Sequence, residues 1–301
     1  MAHSFSSRLV MASPQSPSKL SAPIDLARVR QLFSAPAKVA GADFLRREIA
    51  ARMHERRSIV KAAPARILDA ACGAGADLAV LQEAYPAAHV LGLDASAPML
   101  ANGPAQPRSF LGKLLPSKRG TDRLCADFGN LPLGPNSVDL VWSNLGLFWH
   151  PLPDRVFAEW RRVLRVDGLL MFSSFGPDTL KELREAGLHT LPFVDMHDFG
   201  DQLVEAGFST PVMDMEKITV TYSDVKTMMA DVRALGGNPL DTRPRGLMSR
   251  SRWHAVNAAL ERQRKDGKLT LTFEVIYGHA FRPAPKTTSS GEAIIRFQPR
   301  R

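Results

Sequence analysis

Ile67-Leu-Asp-Ala-Ala-Cys-Gly-Ala-Gly75, followed by Val90-Leu-Gly-Leu-Asp94, is the part of this 301-residue chain that decides its fold. An apolar run ends in an acid and opens into a glycine-bearing loop. A helix-like stretch follows, and a second apolar run ends in another acid. This is the pattern of a strand, loop, helix, strand unit with a carboxylate at each strand end. Working outward, apolar runs predict strands at 65–71, 89–94, 123–127, 137–143 and 168–175, with helices near 75–85, 96–102, 153–165 and 177–187. Such alternation gives an α/β fold built on a doubly wound, mostly parallel sheet. Beyond Gly187 the spacing predicts a helix over 196–206, a strand over 212–222, helices over 223–235 and 249–264, and a late strand over 269–277.

In open sheets of this type ligands bind at the rim where strand order reverses, so the strand-end residues are the candidate site. Asp69 closes the first strand, where it orients the loop and attracts a cation; the same residue type also caps helices. Gly73 and Gly75 let the backbone approach a ligand closely. Cys72 is a small neighbour with no assigned reactivity. Asp94 ends the second strand, placed to accept two ribose hydroxyls, and Ala71 and Ala95 are counted in the cofactor-binding set beside these acids. Asp127 follows in Cys125-Ala-Asp-Phe128, where a carboxylate can accept from an adenine amino group while Phe128 offers apolar contact. Ser137-Val-Asp-Leu-Val-Trp-Ser-Asn144 brings Ser143 and Asn144 to the same rim. A dinucleotide site would want a third glycine where this chain has Leu78, and Asp69 would repel its pyrophosphate. Acids attract cations and repel phosphates, so the constellation favours a nucleoside carrying positive charge, namely S-adenosylmethionine. No metal site is expected.

The chain is 45% hydrophobic with a formal charge of +9. Residues 1–61 hold eleven Lys/Arg against four Asp/Glu, and residues 241–301 hold thirteen against five, so the basic charge lies on the flanks. Flanks of this kind attract acidic partners. No zinc spacing, aromatic RNA signature or helix-turn-helix pattern points to nucleic acid. No run suffices to span a bilayer, and two cysteines, Cys72 and Cys125, speak for a reducing intracellular setting, so a soluble cytoplasmic protein is expected. Residues 1–23 are rich in Ser, Pro and Ala and are expected to be disordered. Arg8, Arg28 and Arg30 with several serines faintly resemble a transit peptide, which would make the location mitochondrial. A domain over 24–285 follows, with a helical segment over 24–60 suited to act as a lid and a basic insertion near 103–122 suited to partner docking. Residues 286–301 form a tail.

From Asp69 to Gly176 the chain resembles class I S-adenosylmethionine-dependent methyltransferases, carried by the glycine motif, the ribose and adenine acids, "DLVWSNLGLFWH" and "EWRRVLRVDGLLMFSSFG". The resemblance implies a seven-stranded sheet with one antiparallel strand. The chain departs from the family's usual glycine at Ala71, where a methyl would narrow the cofactor pocket. Ser143–His150, Phe175–Arg184 and "FVDMHDFGDQLVEAGFSTPVMDMEKITVTY" resemble more narrowly the malonyl-carrier-protein O-methyltransferases of biotin synthesis. That likeness implies methylation of the free carboxylate of a malonyl thioester, with an acidic acyl carrier protein or malonyl-coenzyme A as partner. Arg184 is the expected carboxylate anchor, with Trp149 and His150 as the wall near the methyl; Arg184 pairing with Glu182 or Glu185 is the plainer alternative. The same signature also resembles an arginine hydroxylase that assists respiratory complex I assembly, although no iron-binding triad is evident. A noncatalytic scaffold is the third reading, opposed by the three retained acids.

Overall fold

Apolar runs bounded by turn residues need both faces covered when they pair in parallel. The computed structural model describes residues 22–103, 121–244 and 246–285, and it meets that need with helices on both faces of one sheet. The strands are β1 (Arg66–Ala70), β2 (His89–Asp94), β3 (Thr121–Cys125), β4 (Val138–Ser143), β5 (Leu164–Phe175), β6 (Ser209–Tyr222) and β7 (Leu269–Phe281). Their order is β3-β2-β1-β4-β5-β7-β6. β1 to β5 run parallel, and β7 is antiparallel to both β5 and β6. The expected seven-stranded sheet with one antiparallel strand is therefore found. Order reverses between β1 and β4, which pair through Asp69 and Trp142, so the loops leaving these strands diverge and open a crevice.

The helices are α1 (Leu26–Leu32), α2 (Pro36–Val39), α3 (Asp43–Ile59), α4 (Ala76–Ala84), α5 (Ala97–Ala101), α6 (Pro153–Val163), α7 (Lys181–Glu185), α8 (Met196–Glu205), α9 (Val225–Ala234) and α10 (Arg250–Arg262). One face of the sheet packs Leu45, Ile49 and Met53 of α3 with Leu78 and Leu81 of α4, Met228 of α9 and Leu260 of α10. The other packs α6 and α8. In α6, Val156, Phe157, Trp160 and Val163 recur at helical spacing and are fully buried, while Arg155, Glu159 and Arg162 fall between them. Burial of each such side chain contributes roughly 1.5–3 kcal/mol, so this stripe holds the helix in place.

Three of the boundaries that differ from the sequence reading do so for identifiable physical reasons. α6 stops at Val163 because Leu164 already pairs with Val138, which starts β5 earlier than expected. The helix predicted over 177–187 shrinks to α7, since Leu180 adopts a left-handed conformation (φ 58°) and the Thr179 hydroxyl bonds the Glu274 carbonyl instead. β3 ends at Cys125, so Asp127 lies in the following turn and not on the strand. Ala22 is buried, Ile24 bridges Leu240, and Pro23 accepts from the Asp241 N–H, so Ala22 and Pro23, expected to be disordered, are packed against the domain. Residues 1–21, the insertion over 104–120 and the tail over 286–301 lie outside the described residues.

Candidate active site

The turn after β1 is tight. Ala71, Gly73 and Gly75 all have positive φ (66°, 56° and 81°), and Gly75 begins α4 as its left-handed cap. Gly75 needs its missing side chain twice over, because a Cβ there would also lie 2.8 Å from Leu78 Cδ1. Ala71 holds a conformation that disfavours side chains by about 1–2 kcal/mol. Its methyl faces Gly146 in the loop after β4, where an added Cβ would lie only 2.5 Å away. The chain accommodates alanine at 71 by having no side chain at 146. Gly146 has an ordinary φ of −93°, so space and not backbone freedom is what glycine supplies there.

Around this turn stand the acids. Asp69 is 2% exposed, and its Oδ2 has no hydrogen-bond partner. Burial, then the negative Asp77 and Asp94, push its carboxyl well above the usual range. Asp94 accepts the Gly73 N–H at 2.9 Å and the Ser96 N–H at 2.8 Å, so it fixes both the glycine loop and the following turn. Each oxygen keeps a lone pair for a ligand. Burial raises the Asp94 carboxyl, and these two N–H groups oppose the rise. Asp127 accepts the Gly129 N–H at 2.8 Å, and Phe128 packs beneath it against Trp160. Cys72 lies under the loop, with its thiol pushed upward by burial and the nearby acids, which keeps it unreactive. Neither cysteine is in a disulfide. Ala95 sits half-buried between Asp94 and Ser96, its carbonyl facing Cys125 Sγ at 3.8 Å.

Sequence reasoning missed Asp77. In the first turn of α4 it looks like an ordinary complement to the helix dipole. It is in fact buried, accepts the Trp142 indole N–H at 2.9 Å, and adds to the negative charge around Asp69. Trp142 is itself stacked on His54 of α3, with ring centroids 4.4 Å apart. Beside it Ser143 is fully buried and its Oγ has no partner. Asn144 accepts from the Ser173 hydroxyl and donates to the Arg46 carbonyl at 3.1 Å. These bonds tie the start of α3 to the rim, and the Ser96 hydroxyl donates to the Phe33 carbonyl at 2.9 Å. The N-terminal segment therefore lies over the crevice.

The predicted wall of Trp149 and His150 is divided by the structure. Trp149 meets Phe33 edge-on at 5.2 Å and packs on Phe148 at 4.7 Å. His150 turns the other way, against Phe128 and the turn at Gly129. Its Nδ1 accepts the Leu152 N–H, and burial lowers its pKa, so at neutral pH it is uncharged. Trp149 lines an apolar cavity of about 190 Å³ with Phe148, Phe175, Leu183, Met229 and Arg233. Arg184 pairs with neither Glu182 nor Glu185. It donates to the carbonyls of Pro177 (2.5 Å) and Thr179 (2.6 Å) and to the Thr190 hydroxyl (3.2 Å), while lining an adjoining cavity of about 290 Å³. Glu182 is instead buried and accepts from the Thr272 N–H and hydroxyl.

Acids that form no ion pair among the described residues, an orphaned carboxylate oxygen and an orphaned hydroxyl at a switch point suit a ligand that brings positive charge and donors. With the strand order, this arrangement defines a class I methyltransferase. The methyltransferase domain family matches residues 68–172. The YcgJ protein from Bacillus subtilis superposes with a TM-score of 0.54 at 13% identity, covering 79% of this chain and 98% of that one, a likeness of fold alone. The malonyl-[acyl-carrier protein] O-methyltransferase of Laribacter hongkongensis is 46% identical over 288 residues, covering 91% of this chain and 96% of the relative. That of Gallionella capsiferriformans is 46% identical over 282 residues, with the same coverage. The chain belongs to the malonyl-[acyl-carrier protein] O-methyltransferase family.

Proposed function

We propose that the protein transfers the methyl group of S-adenosylmethionine to the free carboxylate of a malonyl thioester carried on acyl carrier protein, a step of biotin synthesis. The observation that carries the reading is 46% identity along 96% of a relative bearing that activity in its name. Asp69 and its orphaned Oδ2 suit the cofactor's ammonium, Asp94 its ribose hydroxyls, Asp127 its adenine amino group and Phe128 the face of the ring. Gly73 and Gly75 leave room for it, Ala71 and Ala95 border it, and Ser143 and Asn144 complete the rim. When bound, the cofactor supplies a sulfonium methyl that needs no activation by the protein.

A malonyl carboxylate has a pKa near that of a side-chain carboxyl, ~4, and is ionised at neutral pH. No general base is required, which agrees with a neutral His150 turned into the Phe128 turn. The protein's part is alignment and exclusion of water from the nucleophile. Phe148, Trp149 and Phe175 line an apolar cavity suited to that task. Arg184 keeps a place as carboxylate anchor, since its three bonds leave further N–H groups directed elsewhere. Among the described residues no helix is long and apolar enough to cross a membrane. We assign the protein to the cytoplasm, where a soluble carrier would meet it; the mitochondrial alternative draws no support from bacterial relatives.

The test is to incubate the protein with S-adenosylmethionine and malonyl-loaded carrier and weigh the carrier. A gain of one methyl, absent with acetyl-loaded carrier, supports the reading. Cofactor binding without any gain shifts weight to the hydroxylase or scaffold.

A further inference from the structure

The sequence Arg243-Pro-Arg-Gly-Leu-Met-Ser-Arg-Ser-Arg252 places four arginines and no acid around two apolar residues. Leu247 is 103% exposed and Met248 is 42% exposed. Among the described residues, Arg243, Arg250 and Arg252 form no ion pair; Arg243 donates only to the Leu240 carbonyl. The stretch is also fixed at both ends. The Asp241 N–H bonds the Pro23 carbonyl, and the Ser249 hydroxyl caps α10 by accepting the Arg252 N–H at 3.2 Å. The chain reaches it directly from Gly237 and Asn238, which line the apolar cavity beside Trp149. Large apolar side chains held in water among unpaired positive charges are the composition of a docking surface for an acidic partner with an apolar spot.

We infer that Leu247 and Met248, with Arg243, Arg250 and Arg252, form the surface on which the acidic carrier protein docks to present its thioester to the adjoining cavity. The inference rests on the proposed function for the identity of the partner. The arginines steer the encounter and set its salt dependence, and Leu247 supplies the desolvated contact. A substrate on a short neutral arm makes neither contact.

The experiment compares malonyl-loaded carrier with malonyl-pantetheine as methyl acceptors for the wild type, Leu247→Ser and the double variant Arg250→Glu/Arg252→Glu. Carrier binding is measured in the same preparations by calorimetry at low and high salt. The double variant should raise KM for the carrier about tenfold or more and flatten the salt dependence of binding, and Leu247→Ser should raise KM several-fold. Kinetics with malonyl-pantetheine should stay within about twofold. Unchanged KM and salt dependence for the carrier overturns the inference, as does a parallel loss with malonyl-pantetheine. Salt-sensitive carrier binding that the double variant abolishes, without methyl transfer by the wild type, would support the surface and refute the proposed reaction alone.

Discussion

Replacing Asp69 by Asn should move stability and cofactor binding in opposite directions. The carboxyl is 2% exposed, its Oδ2 is orphaned, and burial with Asp77 and Asp94 raises its pKa. In the free protein the folded state therefore holds a proton that the unfolded chain releases above ~3.9. Stability falls as pH rises from that value through the raised one, because the folded state must then bury a charge. An amide of the same shape removes the charge and the slope. The ligand-free variant should be more stable than wild type at neutral pH and less sensitive to pH in this range. Binding goes the other way. The ionised carboxylate is the form that attracts the cofactor's ammonium, so wild-type affinity should rise with pH over this window and binding should release a proton. Loss of one charge-assisted hydrogen bond is about 1.5–3 kcal/mol, or roughly a 10- to 150-fold weaker Kd. Thermal melts across pH, and calorimetry in buffers of different ionisation enthalpy, read both effects. A ligand-free variant that is destabilised, or one that binds the cofactor as tightly as wild type, refutes the reasoning.

Other expectations follow from the same geometry. Gly146→Ala should destabilise by about 1–3 kcal/mol through its clash with the Ala71 methyl, and adding Ala71→Gly should restore part of the loss; urea melts of the four proteins give the coupling, and strict additivity would count against it. His54, half-buried on Trp142 with neither ring nitrogen bonded, has its pKa lowered to about 4 by burial and then Arg57. Its contribution is full above the unfolded value near 6.5 and is lost as pH falls through the window to about 4. His54→Phe should keep the stack and remove about 1–2 kcal/mol of acid sensitivity, allowing for solvent screening; melts that stay equally acid-sensitive would contradict this. Arg184→Met should loosen the 177–190 segment in hydrogen exchange and raise KM for the acyl substrate, with cofactor Kd unchanged. A Kd that changes with it would place Arg184 at the cofactor.

The parts legible in the sequence were those written in periodicity and strand-end chemistry. β1 and β2 with Asp69 and Asp94 emerged because apolar runs ended cleanly in acids. β7 emerged because Leu269 to Tyr277 alternates, although only pairing with Ser209–Tyr222 shows how far it extends. Contacts between distant segments left no local mark. Nothing near Ala71 signals that Gly146 makes room for it, and Asp77 is disguised by its helix. Trp149 and His150 are neighbours in sequence but leave a 3-10 turn in different directions, so adjacency suggested a shared wall that the fold does not build. The helical ion pair that was the plainer alternative for Arg184 does not form, because the residue instead reaches carbonyl partners at Pro177 and Thr179 beside the left-handed Leu180.

Diffraction from crystals grown with S-adenosylhomocysteine tests the site most directly. Density for one nucleoside is expected, its ribose on Asp94, its base against Phe128 and Asp127, and its amino group toward Asp69. Density in any other cavity, or a crevice filled by protein at these three acids, would contradict it.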